Sequence, residues 1–170
     1  MAESVARYLP GTAATTQLGT LLARVLLEAA SARLVLYFEG ELGAGKTALI
    51  RAMLGGLGYT GRVPSPTYTL VEPYLVDGYR VLHVDLYRVR DPAELDHLGL
   101  ADELGPIDEL GRGSLLLAEW PARGAGRLPP ADLECQLAIE GAGRHFRLTA
   151  QSEVGSRVLR KLDQALPAGF

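Results

Sequence analysis

The chain has 170 residues, 48% of them hydrophobic, which fits one globular domain over 1–170 with a sizeable core. Seventeen basic residues against twenty acidic ones leave a formal net charge of −3, which argues against non-specific attraction to nucleic acid. No apolar run approaches the roughly 20 residues that span a bilayer, and residues 1–7 lack a signal peptide's basic region and apolar stretch, so a cytoplasmic location without membrane contact is expected.

Residues 1–14, with Pro10 and Gly11, read as a loose lead-in. Over 16–30, Leu18, Leu21, Leu22, Val25, Leu26 and Ala29 recur at helical spacing, with Thr15 or Thr16 as N-cap. The continuous apolar run Leu34-Val35-Leu36-Tyr37-Phe38 predicts a buried parallel strand over 33–38. Directly after it stands Gly40-Glu41-Leu42-Gly43-Ala44-Gly45-Lys46-Thr47, followed by Ala48 and an apolar-periodic stretch that predicts a helix to about residue 57. This is G-x-x-x-x-G-K-[ST] in its strand–loop–helix setting. Glycines let such a loop fold tightly, so that its N–H groups and the helix N-terminus point at bound phosphate. Lys46 would reach the β- and γ-phosphates, and the Thr47 hydroxyl would ligate Mg²⁺. The expected ligand is a nucleoside triphosphate.

Pro64 and Pro66 make 61–69 an extended loop. In nucleotide hydrolases this region carries a switch that senses the γ-phosphate, and a hydroxyl from Thr67 or Thr69 there would complete a metal shell. Ser65 and Thr67 are the candidate switch residues; the plain alternative is a rigid surface loop. Two strands follow, 69–75 and 79–86, joined by Val76-Asp77-Gly78-Tyr79. Asp85 sits near the end of the second, where a carboxylate either holds Mg²⁺ or makes a turn contact. Asp91-Pro92-Ala93-Glu94 carries an N-cap, a proline at the first position and a capping-box glutamate, predicting a short helix and a second helical piece to about Leu110.

The run 114–118 is another buried strand, ending at Glu119-Trp120-Pro121. Glu119 falls at the carboxyl edge where α/β sheets put their ligands, suited to orienting or deprotonating a water. Its alternatives are a solvated acid or a partner for Arg123. Trp120 either packs in the core or closes over the nucleotide. A hairpin near 133–150, turning at Gly141-Ala142-Gly143 with His145 opposite Ile139, and a helix near 153–166 complete the chain. Cys135, the only cysteine, reads as a small core or edge residue, and His83, His97 and His145 show no metal-ligand spacing and read as structural. Strands alternating with helices around a phosphate loop imply a three-layer α/β fold of the P-loop NTPase type, with a largely parallel sheet and a C-terminal β-hairpin plus helix.

The phosphate loop, Ser65-Pro66-Thr67-Tyr68-Thr69-Leu70-Val71-Glu72-Pro73-Tyr74, His83-Val84-Asp85-Leu86-Tyr87-Arg88, Asp91-Pro92-Ala93-Glu94-Leu95 and Glu119-Trp120-Pro121 resemble the successive blocks of the TsaE (YjeE) ATPases, over roughly residues 15–130. The resemblance implies an ATP- and Mg²⁺-dependent hydrolase needed for threonylcarbamoyl modification of tRNA adenosine next to the anticodon, working with the TsaD and TsaB proteins and meeting tRNA indirectly. By block, it makes Lys46 and Thr47 the phosphate and Mg²⁺ residues, Thr67 the switch threonine and Asp85 the metal-side acid. Glu119 becomes the catalytic acid, with metal contact, and Trp120 the nucleotide-side aromatic. Ala48 departs from the pattern, since many members carry a second threonine there. Two other classes remain open on the residues alone: a small-molecule kinase, whose only lid-like stretch would be Arg123–Arg127, and a nucleotide-gated binding module without turnover. No Asn-Lys-x-Asp guanine-reading segment is present.

Overall fold

Residues 3–29, 33–104 and 113–170 are described by a computed structural model. The apolar runs become β2 (Arg33–Glu39), β5 (Ser114–Glu119), β4 (Tyr79–Asp85) and β6 (Leu133–Glu140), which lie parallel in the order β6-β2-β5-β4. Around this centre the sheet is antiparallel. β3 (Val71–Val76) closes one side on β4, and β7 (Gly143–Ala150) then β1 (Ser4–Leu9) close the other, giving seven strands among the described residues.

Side chains alternate across the sheet, and the two faces are covered unequally. One face carries Leu34, Leu36, Phe38, Leu115, Leu117, Cys135, Phe146 and Leu148 against α1 (Thr12–Ala29), α2 (Lys46–Gly56) and α4 (Glu153–Ala165). Full burial of each such Leu or Phe stabilises by about 1.5–3 kcal/mol relative to exposure. The other face, with Val35, Leu82, Val84, Leu116 and Ala118, is covered by Leu86, Val89, Leu95, Leu100, Leu104 and Leu128. These come from loops, a 3-10 segment at Pro92–His97 and the four-residue α3 (Leu100–Glu103). The expected third layer is therefore thin among the described residues, and the parallel character is confined to the four central strands.

Several sequence expectations shift. The lead-in contains β1, whose Val5 and Leu9 are buried while its backbone pairs with β7; an edge strand of this kind is fixed by its neighbour and not by its own weak pattern. α1 starts at Thr12, so Thr15 and Thr16 lie inside it, and the Thr16 hydroxyl donates back to the Thr12 carbonyl. The capping box at Asp91 and Glu94 is present, yet the turn it opens is 3-10 and not α. The end of the expected second helical piece, beyond Leu104, lies outside the described residues. The hairpin turns on Gly141-Ala142, so Ile139 faces Arg144 and His145 faces Ala138, one residue off the expected register. Cys135 is fully buried on an interior strand, where burial pushes its thiol up to about 12.

Candidate functional site

The parallel strands all point their carboxyl ends at one edge, and their register aligns Phe38, Glu119 and Asp85 side by side. Beyond Phe38 and Glu39 the chain enters the loop 40–47 and turns into α2. Gly45 caps that helix at φ +103°, a backbone conformation that residues with a β-carbon rarely adopt. The first residues of α2 therefore aim Lys46 and Thr47 back over the strand ends.

Lys46 is 5% exposed. Its Nζ donates to the carbonyls of Gly40 at 2.6 Å and Glu41 at 2.9 Å, and lies 4.2 Å from the centre of the Trp120 ring. Burial pushes the ammonium below the ordinary lysine value, with Glu119, Asp85 and Glu41 pulling it back up. A cation so placed is satisfied only by weak dipoles and an aromatic face, and an anion entering the loop would serve it better.

The two strand-end acids are held differently. Glu119 accepts the Thr47 hydroxyl on Oε1 at 2.9 Å and on Oε2 at 3.0 Å, and its Oε2 lies 2.7 Å from His83 Nε2. Asp85 accepts Thr67 at 2.8 Å and Ser65 at 3.3 Å on Oδ2, while Oδ1 takes the Tyr87 N–H at 2.9 Å. Both carboxylates are nearly inaccessible, at 2% and 3% exposure. The turn contact expected as an alternative for Asp85 is thus present together with the switch-loop contact. Thr69 faces away and donates to Glu72. Arg123 does not pair with Glu119; its guanidinium lies over the rings of Tyr87 and Trp120, at 5.2 and 5.8 Å.

Two residues near this cluster hold backbone angles that bulky side chains rarely adopt. Trp120 has φ +57° and ψ +49°, and Leu70, at the end of the switch loop, has φ +66°. Such strain costs of order 1–3 kcal/mol per residue and gathers at functional sites. Trp120 also rests, partly buried, against the second core, as its packing reading expects.

A cleft of about 270 Å³ gathers Lys46, Thr47, Thr67, Asp85, Glu119 and Trp120. The donors it offers an ion are oxygens, two carboxylates and the hydroxyls of Thr47, Ser65 and Thr67, a set that fits a hard cation sharing its shell with water and phosphate. On the other side of the loop a larger cleft, about 680 Å³, runs between α1 and the β6–β7 turn, lined by Thr12, Gly45, Ala48, Arg51 and Arg144 among others.

Sequence reasoning missed two residues here. His83, read as structural, is fully buried against Glu119. Strand alternation puts Val81, His83 and Asp85 on the same face, and pairing that face with Glu119 would have found it. Arg144 donates from Nε to Ala44 O and from Nη2 to Gly43 O, both at 3.0 Å. No local pattern marks an arginine that reaches the loop from 100 residues away.

Comparison with known proteins identifies the family. The family described as threonylcarbamoyl adenosine biosynthesis protein TsaE matches residues 9–146. A relative from Haemophilus influenzae, a tRNA threonylcarbamoyladenosine biosynthesis protein TsaE, is 38% identical over 158 residues, covering 92% of this chain and 96% of its own length. One of the same description from Bacillus subtilis is 36% identical over 124 residues, 72% of each chain. The crystal structure of Bacillus subtilis YdiB superposes with a TM-score of 0.73 at 25% identity, covering 97% of both chains. The chain belongs to the TsaE family.

Proposed function

We propose that this protein is an ATPase that acts in threonylcarbamoyladenosine formation on tRNA, with TsaD and TsaB as its partners. One observation carries the catalytic reading: Thr47 of the loop donates to both oxygens of Glu119, while Asp85, its neighbour in register, takes Thr67 of the switch loop. The loop is thus hydrogen-bonded to one strand acid and the switch loop to the other, and the two acids are neighbours in strand register. In the P-loop reading, the β- and γ-phosphates lie over the start of α2, Lys46 leaves its carbonyl partners to neutralise them, and the N–H groups of the loop complete the cradle.

Thr47, Asp85, Glu119 and Thr67 would hold Mg²⁺, which offsets phosphate charge when bound. Glu119 orients and deprotonates the attacking water, and the 2.7 Å contact from His83 fixes its carboxylate plane. Thr67 couples the switch loop to the state of the metal-side acid. Trp120 closes over Lys46 at the phosphate end, and the larger cleft beside Ala48 receives the nucleoside.

Leu42, 70% exposed, and Tyr68, 80% exposed, stand on the phosphate loop and the switch loop beside the catalytic cleft. Large apolar groups in those places suit a protein docked over the site, which favours a partner-completed ATPase with slow turnover alone. The acidic net charge suits indirect contact with tRNA. The kinase reading is less well supported: Arg127 pairs with Asp96, and Gly124 is packed among Leu86, Leu95 and Leu128, so the one lid-like stretch lies pinned to the domain. Glu119→Ala is expected to abolish ATP turnover while ATP binding stays within a few-fold of wild type, as measured by phosphate release and calorimetry. Unchanged phosphate release would remove Glu119 from the chemistry.

A further inference from the structure

The phosphate loop has a back as well as a front, and the back is built by the C-terminal hairpin. At Gly40 the two meet so closely that an added β-carbon would lie 2.4 Å from the Leu137 carbonyl oxygen of β6. From β7, Arg144 spreads its guanidinium over two consecutive loop carbonyls, Gly43 and Ala44, and a third bond from Nη1 to Gly143 O at 2.8 Å holds the fork in place. The side chain is partly buried and lines the larger cleft beside Gly43, Gly45 and Ala48.

A trans peptide is planar, with its C=O and N–H on opposite sides. An arginine that holds the Ala44 carbonyl from behind therefore fixes the Gly45 N–H toward the opposite side. The Ala44 N–H is already committed to the Glu41 carbonyl, at 3.0 Å. Lys46 tethers the other loop carbonyls, Gly40 and Glu41, yet it is the group that must turn to an incoming phosphate. Arg144 has no such second duty. Ala48 offers no hydroxyl at the start of α2, so the N–H cradle carries more of the binding.

We propose that Arg144 is a positioning residue for nucleotide binding: its forked bonds to Gly43 and Ala44 hold the loop backbone and preset the Gly45 N–H, making the C-terminal hairpin part of the site. This rests on the nucleotide reading of the loop. Planar, two-pronged donation is specific to a guanidinium; an ammonium supplies the charge without the geometry.

Calorimetric titration with ADP and Mg²⁺ at fixed ionic strength, on wild type, Arg144→Ala, Arg144→Lys and Arg147→Ala, separates the possibilities. Arg147 lies on the same strand and controls for loss of positive charge. Arg144→Ala and Arg144→Lys should each bind ADP about tenfold more weakly, with nucleotide-free melting temperatures close to wild type, and Arg147→Ala should bind normally. Wild-type affinity in Arg144→Ala would overturn the proposal. So would full rescue by lysine or an equal loss in Arg147→Ala, since charge alone would then suffice. If alanine disturbs the fold, Arg144→Lys, which keeps stem and charge, decides alone. Absence of ADP binding by wild type would instead strike the nucleotide reading itself.

Discussion

The two flanks of the phosphate loop are built from opposite materials. On one side Lys46, Thr47, Thr67, Asp85, Glu119 and Trp120 crowd a cleft of about 270 Å³, and nearly every polar atom there is tied to another. On the other, a cleft of about 680 Å³ is lined largely by threonines, glycines and alanines, with Arg51 and Arg144 as its charged groups. Ionisable groups suited to charge and proton chemistry gather on the first flank, whereas the second is a groove of small side chains. Strain follows the same division, since Trp120 and Leu70, the left-handed bulky residues nearest the site, border the first flank.

Substitutions on the two flanks should consequently fail in different ways. The largest effect is expected from Lys46→Ala, which removes the ammonium beside Glu119 and Asp85 and should weaken ATP binding about a hundredfold in calorimetry. Asp85→Asn keeps shape but removes charge on the metal side. The Mg²⁺ concentration needed for half-maximal ATP binding should rise about tenfold, and an unchanged Mg²⁺ response would take Asp85 out of that role. The smallest change tests the opposite flank: Ala48→Thr, at an exposed position at the start of α2, adds one neutral hydroxyl where the phosphates are proposed to bind. It should tighten ADP about threefold without altering turnover at saturating ATP. A fall in turnover there would blur the distinction between the flanks.

Much of the first flank was legible because it is encoded locally. Apolar runs ending in Glu119 and Asp85, and a glycine-rich octet between strand and helix, are short-range patterns, and parallel pairing brings their ends to one edge. Even the capping box at Asp91 was readable, although the residues it opens wind as a 3-10 turn. What escaped depends on partners distant in sequence. β1 exists through pairing with β7; the hairpin register turned on whether the tight turn held two residues or three; and Arg144 meets the loop only once β6 has been laid beside β2. His83 lies between these cases, since its strand and face were predictable but its contact required the Glu119 register.

The proposed role of the cluster around Glu119 and Thr47 is to hydrolyse ATP on behalf of a partner. It is tested most directly by phosphate release from ATP and Mg²⁺, measured for the chain alone and with TsaD and TsaB, with Lys46→Ala as control. Slow release alone, clear stimulation by the partners and none of either in Lys46→Ala are the expected results. Release that ignores the partners, or that survives loss of Lys46, would contradict it.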